Sequence, residues 1–326
     1  MAESPAVICL GEALVDRLGP PGGDPAVDQP VEDCLGGAPA NVACGLARLG
    51  TPVAFVGRLG GDAIGEAFQR LFHQRGIAQS AIQHDLERPT RVVLVHRSRV
   101  GERQFQGFAG DAGDGFADQA LAVSELQTVW PALADQATWL LVGTIPLAVA
   151  TARESLQWTL AEARRRGIKI ALDVNWRPTF WDPAASPTAG PPPAALAAIR
   201  PVLEQATLIK LAREEALWLF AVDDPVAIRA ELPMHPDVVV TDGAEPVRWC
   251  MGGESGTLEV MPPSRLVDTT GAGDAFMAGL LHAWPQPIAK RIRFAAACGA
   301  LVCSGPGAID PQPTQQDVAV FLGAIS

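Results

Sequence analysis

Short apolar runs, each closed by a glycine or a polar residue, recur along this chain and alternate with stretches of helical periodicity. The apolar runs are AVICL at 6–10, VAFV at 53–56, WLLV at 139–142, IKIAL at 168–172, ATLI at 206–209 and DVVV at 237–240. The helical stretches are 39–49, 63–75, 147–166 and 213–220. Fully apolar strands separated by helices are typical of a parallel sheet that is covered by helices on both faces. We therefore predict an α/β fold with a doubly wound, mostly parallel sheet.

Two segments, 12–35 and 88–108, break this alternation. They contain the strand-like pieces ALVDRL, TRVVLVHRS and RQFQGF, in which polar and apolar residues alternate as they do in a half-exposed sheet. We predict that they form a small β-sheet lid beside a large domain made of 1–11, 36–87 and 109–326. Because an exposed small sheet has unpaired edges that a second copy can cover, the lid is also a candidate homodimer interface.

The charge and the cysteines of the chain narrow the classes of partner. The 25 Lys and Arg residues oppose 36 Asp and Glu residues, a net charge of −11, so the surface repels phosphodiester backbones and nucleic acid is not an expected partner. The six cysteines are scattered without a C-x-x-C pair, which indicates free thiols. No leader-like N-terminus and no run of about 18 apolar residues is found, so we expect no membrane partner and a cytoplasmic location.

The most informative segment is the glycine-rich run DTTGAGD, Asp268 to Asp274, which precedes the helix-like AFMAGLLHAW. Gly271, Ala272 and Gly273 let the backbone approach a ligand closely, and the N–H groups of a helix start lack intrahelical partners. Together they form an anion site suited to the charge of a transferring phosphoryl group. An aspartate beside such a site is explained if Asp274 accepts the proton of an attacking hydroxyl. Taken alone, the segment also fits an ordinary helix-start aspartate stabilised by the helix dipole.

Two further segments place polar groups where a polyol can bind. In GGAPANVA, a tight turn at Gly36 and Gly37 leads into a helix on which Asn41 offers an amide donor and a carbonyl acceptor. In GEALVD, Asp16 follows a strand end and can accept paired hydrogen bonds from vicinal hydroxyls. For each residue on its own, the favoured alternative is structural: a capping amide for Asn41 and a solvated turn residue for Asp16.

Taken together, these segments resemble the ribokinase (PfkB) family of carbohydrate kinases. GGAPANVACGLARLG from Gly36 to Gly50 and DTTGAGDAFMAGLL from Asp268 to Leu281 are similar to the two signature segments of that family, in its order and roughly its separation. Shorter matches extend over nearly the whole chain: VGRLGGDAIG, LDVNWRP, IKLAREE, VVVTDGAE and GPGAIDP. The resemblance implies the ribokinase-like fold and an ATP-dependent kinase that phosphorylates a sugar hydroxyl with the help of Mg²⁺.

The resemblance also implies roles for individual residues. Asp274 is the implied catalytic base, with an anion hole from the amides of Gly271, Ala272, Gly273 and Asp274 itself. The implied sugar contacts are Asp16, Gly36, Gly37 and Asn41. The implied nucleotide contacts are Lys210, Thr241 and Gly243, with the adenine against the backbone of Ala297, Ala300 and Ser304. Asn175 and Glu215 are implied to reach Mg²⁺ through water or phosphate, with a solvated helix carboxylate as the alternative for Glu215, and Asp268 and Thr270 resemble a K⁺ site that not every member uses.

Two positions depart from the family pattern. Ala212 stands where the family has the asparagine of N-x-x-E, which removes the amide of that metal-side contact, and Pro246 replaces a later glycine of the nucleotide stretch. Other nucleotide motifs are missing from the sequence. The run from Gly57 to Asp62 lacks the G-x-G-x-x-G spacing, no Gly-Lys pair exists for a Walker A motif, and the H-R-D and D-F-G elements are absent.

The choice of sugar depends on few residues. GERQFQGFAG, DVNWRP and GGAPANVA resemble the fructokinase branch of the family. Relatives that phosphorylate acidic ketoses hold the carboxylate with a tyrosine–arginine pair, and this chain has no tyrosine, so a buried carboxylate would lack its partner. We therefore expect a neutral ketohexose, fructose, which is phosphorylated to fructose 6-phosphate. Because Arg103 and Arg177 are present, 2-keto-3-deoxygluconate is the alternative, and a non-catalytic member that only binds sugar or nucleotide is a second alternative.

Overall fold

The computed structural model describes residues 5–97, 103–110 and 115–323, apart from the side chains of residues 97, 103 and 104. The strands are β1 Val7–Leu10, β2 Leu14–Leu18, β3 Glu32–Gly36, β4 Val53–Gly60, β5 Ala78–Asp85, β6 Val92–Arg97, β7 Arg103–Phe108, β8 Trp139–Val142, β9 Lys169–Asp173, β10 Leu208–Ala212, β11 Asp237–Asp242, β12 Glu245–Met251 and β13 Glu254–Leu258. The helices are α1 Ala38–Arg48, α2 Ala63–Arg75, α3 Val123–Leu133, α4 Ala150–Arg165, α5 Pro178–Trp181, α6 Pro193–Leu203, α7 Arg213–Phe220, α8 Pro225–Glu231, α9 Ala272–His282, α10 Ile288–Val302 and α11 Gln315–Gly323.

The larger sheet has nine strands in the order β13-β12-β11-β10-β9-β8-β1-β4-β5. Neighbouring strands from β11 to β5 are parallel, whereas β12 and β13 extend one edge in antiparallel fashion. Alternate residues of β1 enter two separate cores, Ile8 and Leu10 on one face and Val7 and Cys9 on the other. Both faces of the sheet are therefore covered, which explains the fully apolar runs and confirms the predicted doubly wound fold.

The smaller sheet has four strands in the order β3-β2-β6-β7. It pairs β2 antiparallel with β3, β2 parallel with β6, and β6 antiparallel with β7. One face packs in a cluster with Leu14, Val93, Phe108 and Phe116 at its centre. The strands come from the two segments with alternating polarity, except that β3 continues by one residue to Gly36. The α/β class with a second, smaller sheet is confirmed, while the domain boundaries and the function of the small sheet as a lid stay predictions.

Several elements have no counterpart in the sequence predictions, among them β5, α3, α6 and the antiparallel pair of β12 and β13. Four strands also continue beyond the apolar runs that predict them: β4 to Gly60, β9 to Asp173, β10 to Ala212 and β11 to Asp242. The apolar run at 206–209 predicts that the strand ends before Lys210, but β10 continues through Lys210 to Ala212. The strand continues because Lys210 lies opposite Asp173 of β9, whose carboxylate compensates the buried charge.

The six cysteines are free. Among the helices of the described segments, none is both long and apolar enough to cross a membrane.

Candidate active site

The glycine loop leads directly into α9, with Gly271 at the N-cap. The residue has φ of +77°, a left-handed conformation that side chains other than that of glycine rarely adopt. A Cβ atom at this position would also lie 2.5 Å from the Cβ atom of Ala308, so the loop requires glycine for two independent reasons. A residue other than glycine at position 271 would therefore disturb the turn that leads into α9.

The first turn of α9 exposes some of the predicted anion-hole amides but not all of them. Because a helix start lacks intrahelical acceptors, the N–H groups of Gly273 and Asp274 are free to bind an anion. The amide of Ala272 differs, since it donates to the Thr269 carbonyl over 3.2 Å within the loop. The expectation that Ala272 contributes to the anion hole is therefore corrected to a role in closing the turn.

Asp274, the predicted base, lies half-buried at the edge of a cavity of about 260 Å³. Its Oδ2 atom accepts a hydrogen bond of 2.8 Å from Nδ2 of Asn41, which lies on α1. The contact joins the two signature segments, which are separated by more than two hundred residues in sequence. A carboxylate held by a single amide keeps its second oxygen available for a proton.

The cavity lies between the two sheets and contains most of the predicted sugar contacts. Its walls are Glu12, Leu14, Asp16, Gly37, Ala38, Asn41, Val93, Phe105, Ile145, Asn175, Arg177, Pro178, Thr179, Phe180, Pro187, Thr270, Gly271 and Asp274. Gly36 is adjacent, because a Cβ atom there would lie 3.4 Å from Oδ2 of Asp16. The side chain of Arg103 lies outside the part that the structure describes, so its predicted sugar contact stays a prediction.

The surroundings of Asp274 raise its pKa. Burial raises the pKa of this carboxyl to about 6, and the negative charge of Asp173 acts in the same direction. The Asn41 hydrogen bond and the positive charges of Lys210 and Arg177 lower the pKa. The carboxylate is thus ionised at neutral pH yet basic enough to accept a proton, the property that a general base needs.

Lys210 is predicted to contact the nucleotide, but the structure directs its ammonium into the protein. The side chain is 8% exposed, and Nζ donates to both carboxylate oxygens of Asp173 over 3.0 and 3.2 Å. It also lies directly behind the glycine loop, 2.7 Å from where a Cβ atom of Gly273 would be. Lys210 therefore occupies a position beneath the anion site, not an open groove beside it.

The remaining nucleotide predictions fall at the carboxyl end of β11 and along α10. Thr241 is half-buried and follows the buried part of β11, and Gly243 lies in an exposed turn with φ of +56°. On α10 the side chain of Ala297 is completely buried in a core cluster, and the predicted contact of its backbone with the adenine stays a prediction. Ala300 is also buried, whereas Ser304, just beyond the helix, is half-buried. The placement of a nucleotide here stays a prediction.

Glu215 is not the solvated helix carboxylate that its sequence context allows, and its predicted approach to Mg²⁺ through water or phosphate stays a prediction. It is buried, and its two carboxylate oxygens accept hydrogen bonds from the backbone N–H groups of Trp176 at 2.6 Å and Ala212 at 2.7 Å. The carboxylate thus joins the start of α7 to the segment after β9, and it is not solvated. That segment holds Asn175, which lines the cavity with a positive φ of 42°. Within the described ranges, no group of three or more His, Cys, Asp or Glu side chains is arranged to hold a metal ion.

Asp268, predicted to bind a monovalent cation with Thr270, connects the glycine loop to the segment after α10. Its Oδ1 atom accepts hydrogen bonds from N and Oγ1 of Thr270, and its Oδ2 atom accepts one from the Gly307 amide at 2.8 Å. The same segment supplies Ala308, which contacts Gly271. A cation beside Asp268 would therefore act on the shape of the glycine loop.

Sequence reasoning missed Glu12, which lines the cavity from the end of β1. It is 2% exposed, its Oε1 atom accepts from the Ala38 amide at the start of α1, and its Oε2 atom has no hydrogen bond among the described residues. Burial raises the pKa of this carboxyl to about 8, so it is mostly neutral at pH 7. The signal was available: Glu12 is the first polar residue after an apolar run, the rule that selected Asp16. Pro187, in the loop between α5 and α6, also reaches the cavity.

The chain is similar to known proteins along nearly its whole length. The profile described as "pfkB family carbohydrate kinase" matches residues 4–315. The fructokinase of Vibrio alginolyticus is 31% identical over 328 residues, covering 96% of this chain and 97% of its own length. The fructokinase of Escherichia coli is 31% identical over 326 residues, covering 97% and 98%.

Solved structures agree with the sequence relatives. The fructokinase of Xylella fastidiosa with bound ATP superposes with a TM-score of 0.82 at 27% identity, covering 98% of each chain. The fructokinase of Vibrio cholerae O395 in its fructose, ADP and calcium ion bound form gives 0.81 at 27% identity, covering 98% of this chain and 99% of that one. With a family profile matched along almost its full length and relatives of equal size above 30% identity, this chain belongs to the pfkB family of carbohydrate kinases.

Proposed function

We propose that the protein is an ATP-dependent fructokinase that converts D-fructose to fructose 6-phosphate. The observation that carries the proposal is the hydrogen bond of 2.8 Å between Asn41 and Asp274 at the edge of the cavity of about 260 Å³. It supports Asp274 as the general base, because the carboxylate is held at the start of α9 beside a space that can take a sugar. Relatives named fructokinase across nearly the whole chain, and neighbours solved with fructose, ADP or ATP, support the choice of substrates.

Different residues of the chain have different roles in the reaction. Asp16 and Asn41 orient the sugar through its hydroxyls, and Asp274 accepts the proton of the primary hydroxyl as that oxygen attacks. The amides of Gly273 and Asp274, together with the dipole of α9, stabilise the negative charge of the transferring group. ATP supplies that group. Mg²⁺ would be held near Asn175 and Glu215 through water or phosphate, where it would neutralise part of the charge of the phosphates. The nucleotide would lie at Thr241, Gly243 and the end of α10, with the lid closing from the opposite side.

The charge around the cavity favours a neutral sugar. Asp16 and Asp274 contribute carboxylates, and Arg177 is the one cation that lines the cavity among the described residues. The positive charge of Arg177 acts on Asp274 itself, lowering its pKa. An acidic ketose would bring a further negative charge into this wall without a tyrosine–arginine pair to hold it. We therefore place fructose ahead of 2-keto-3-deoxygluconate.

Three further features belong to the same proposal. A K⁺ ion beside Asp268 and Thr270 would support the glycine loop, since Asp268 already holds the segment that contacts it. A homodimer would form through the small sheet, whose outer strand β3 carries the exposed Glu32 and Asp33. The enzyme would act in the cytoplasm.

A coupled assay of ADP release tests the function. We expect ATP-dependent turnover with fructose, at least tenfold higher in kcat/KM than with 2-keto-3-deoxygluconate, ribose or adenosine. Asp274→Asn is the matched control, because it removes the base while keeping the side-chain shape. Binding of sugar and nucleotide without turnover in the unchanged protein would support the non-catalytic alternative and contradict this proposal.

A further inference from the structure

A buried ion pair lies beneath the glycine loop and is not accounted for by substrate binding. Lys210 on β10 and Asp173 at the end of β9 are opposite each other in adjacent parallel strands. Their side chains are 8% and 5% exposed, and Nζ lies 3.0 Å from Oδ1. Burying two charges is unfavourable unless they are paired, and removing one partner leaves the other charge buried and uncompensated.

The pair is directed at the start of α9. Nζ of Lys210 lies 2.7 Å from the position that a Cβ atom of Gly273 would occupy, so the ammonium touches the loop from behind. A side chain at position 273 would therefore displace the Lys210 ammonium. A positive charge at this point lies on the inner side of the amides that face the cavity, and it adds to the potential of the helix N-terminus.

Lys210 is protonated and positively charged in the folded protein. Burial lowers the pKa of this ammonium, but the carboxylates of Asp173, Glu215 and Asp274 raise it by more, so the pKa remains above its ordinary value. The side chain is thus a permanent cation at any pH at which the protein works. Asp173 fixes the position of that cation with two hydrogen bonds.

We propose that Asp173 and Lys210 are positioning residues for phosphoryl transfer, acting as a fixed pair of opposite charges behind the glycine loop that sets the electrostatic potential at Asp274 and at the anion-binding amides without contacting substrate. The proposal rests on the proposed kinase function. It replaces the expected contact between Lys210 and the nucleotide with an indirect role. The two residues act on Asp274 in opposite directions, since Asp173 disfavours its ionised form and Lys210 favours it.

The other groups that face Asp274 come from three further elements and are left unchanged in the test. Asn41 on α1 donates a hydrogen bond to it, Arg177 before α5 lowers its pKa, and Glu12 after β1 interacts with it as a second, mostly neutral carboxyl. Glu215 on α7, whose carboxyl interacts with both Lys210 and Asp173, is also left unchanged, so that every variant differs from the unchanged protein only at the ion pair.

The test compares Asp173→Asn, Lys210→Met and the double variant by the pH profile of kcat/KM for fructose. Glu162→Gln, which removes a partner of the exposed Arg165 on α4, is the control for losing an ion pair elsewhere. We expect the acidic limb to move to lower pH in Asp173→Asn and to higher pH in Lys210→Met, each by about one pH unit, with the double variant between them. The control should match the unchanged protein. If the acidic limbs of the two single variants move in the same direction, or do not move, the proposal is overturned and the ion pair is purely structural.

Two additional measurements keep the result decisive. The pKa of Asp274, followed by carbon NMR of labelled aspartate, should move in the same opposite directions even in a protein that phosphorylates no sugar, so failure of the function and failure of the inference are separable. If the single variants do not fold, the double variant carries the test, because it leaves no unpaired buried charge. A plateau kcat at least tenfold lower in the double variant supports the proposal, and an unchanged plateau overturns it.

Discussion

Asp274 holds its charge in surroundings that raise its pKa from the ordinary 3.8 to about 6. At about 1.36 kcal/mol per pKa unit, the ionised carboxylate costs the folded state about 3 kcal/mol above pH 6. Because the side chain borders an open cavity and is only half-buried, solvent screens part of this energy, and we take the figure as an upper value. Asp274→Asn removes the charge and keeps an oxygen that can accept the hydrogen bond from Asn41.

The direction of the effect follows from the raised pKa. A carboxyl whose pKa is higher in the folded than in the unfolded protein favours folding at low pH, and this contribution is lost as the pH rises through the folded value. At pH 8 the unchanged protein bears the full cost of the charge, and at pH 3.5 both proteins carry a neutral side chain. We therefore expect Asp274→Asn to be more stable at pH 8 by up to about 3 kcal/mol, with no gain at pH 3.5.

Urea unfolding of both proteins measures this difference in stability. It is carried out at pH 8, at pH 6 and at lower pH, as far towards pH 3.5 as the unchanged protein remains folded. ADP release measures turnover. The gain at pH 8 corresponds to a Tm increase on the order of 5 °C, and turnover should fall by roughly 10²–10⁴-fold, the contribution typical of a general base. The same substitution at Asp310, an exposed carboxylate, is the control and should change neither stability nor activity. A variant that is less stable at pH 8, or equally stabilised at every pH, would refute the assignment of a strained, charged base.

Three further predictions concern the same cavity. The kcat/KM of the unchanged protein should fall about tenfold per pH unit below a pKa of about 6, because protonation of Asp274 removes the base; a pH-independent rate down to pH 5 would contradict this. Asp16→Ala should raise the KM for fructose roughly 10- to 100-fold with little change in the KM for ATP, since charge-assisted hydrogen bonds to hydroxyls are lost; the reverse pattern would misplace the sugar site. Gly271→Ala should lower the free energy of unfolding by about 2–4 kcal/mol and reduce turnover, because it combines left-handed strain with a contact of 2.5 Å to Ala308. Gly253→Ala, with φ of +88° and no atom within 4 Å, isolates the strain alone, and equal effects in both variants would contradict the argument.

Periodicity predicted most of the parallel sheet but not its edges. The run at 139–142 and the helices at 63–75 and 213–220 were predicted to the residue. The strand β8 ends before Gly143, and α2 lies between the capping Asp62 and Gly76. The strands β12 and β13 were missed because edge strands are half-exposed and carry no apolar run. Lys210 was placed beyond a strand end for a related reason, since a charged residue within a strand is acceptable only when a partner such as Asp173 lies across from it.

Resemblance indicated the residues of the site, yet the roles of several depend on neighbours distant in the chain. Glu215 was predicted to be solvated or near a metal, but two backbone amides from different segments occupy its oxygens. The amide of Ala272 was expected to be free and is used by Thr269. Local sequence does not show that the Trp176 amide reaches Glu215, because the two are 39 residues apart. The Ala212 and Thr269 contacts each span three residues and depend on how a local turn closes.

The sequence by itself determined the class of fold, the glycine loop and the presence of an aspartate where a helix begins, because these follow from local patterns of burial and backbone freedom. The tertiary structure decided which charges surround that aspartate. Asn41 and Lys210 are far from Asp274 in sequence, and only the packing of α1 against α9 and the order of β9 and β10 bring them together. Since the energy of a charge depends on the distance to other charges and to water, the basicity of Asp274 is a property of the fold and not of any segment.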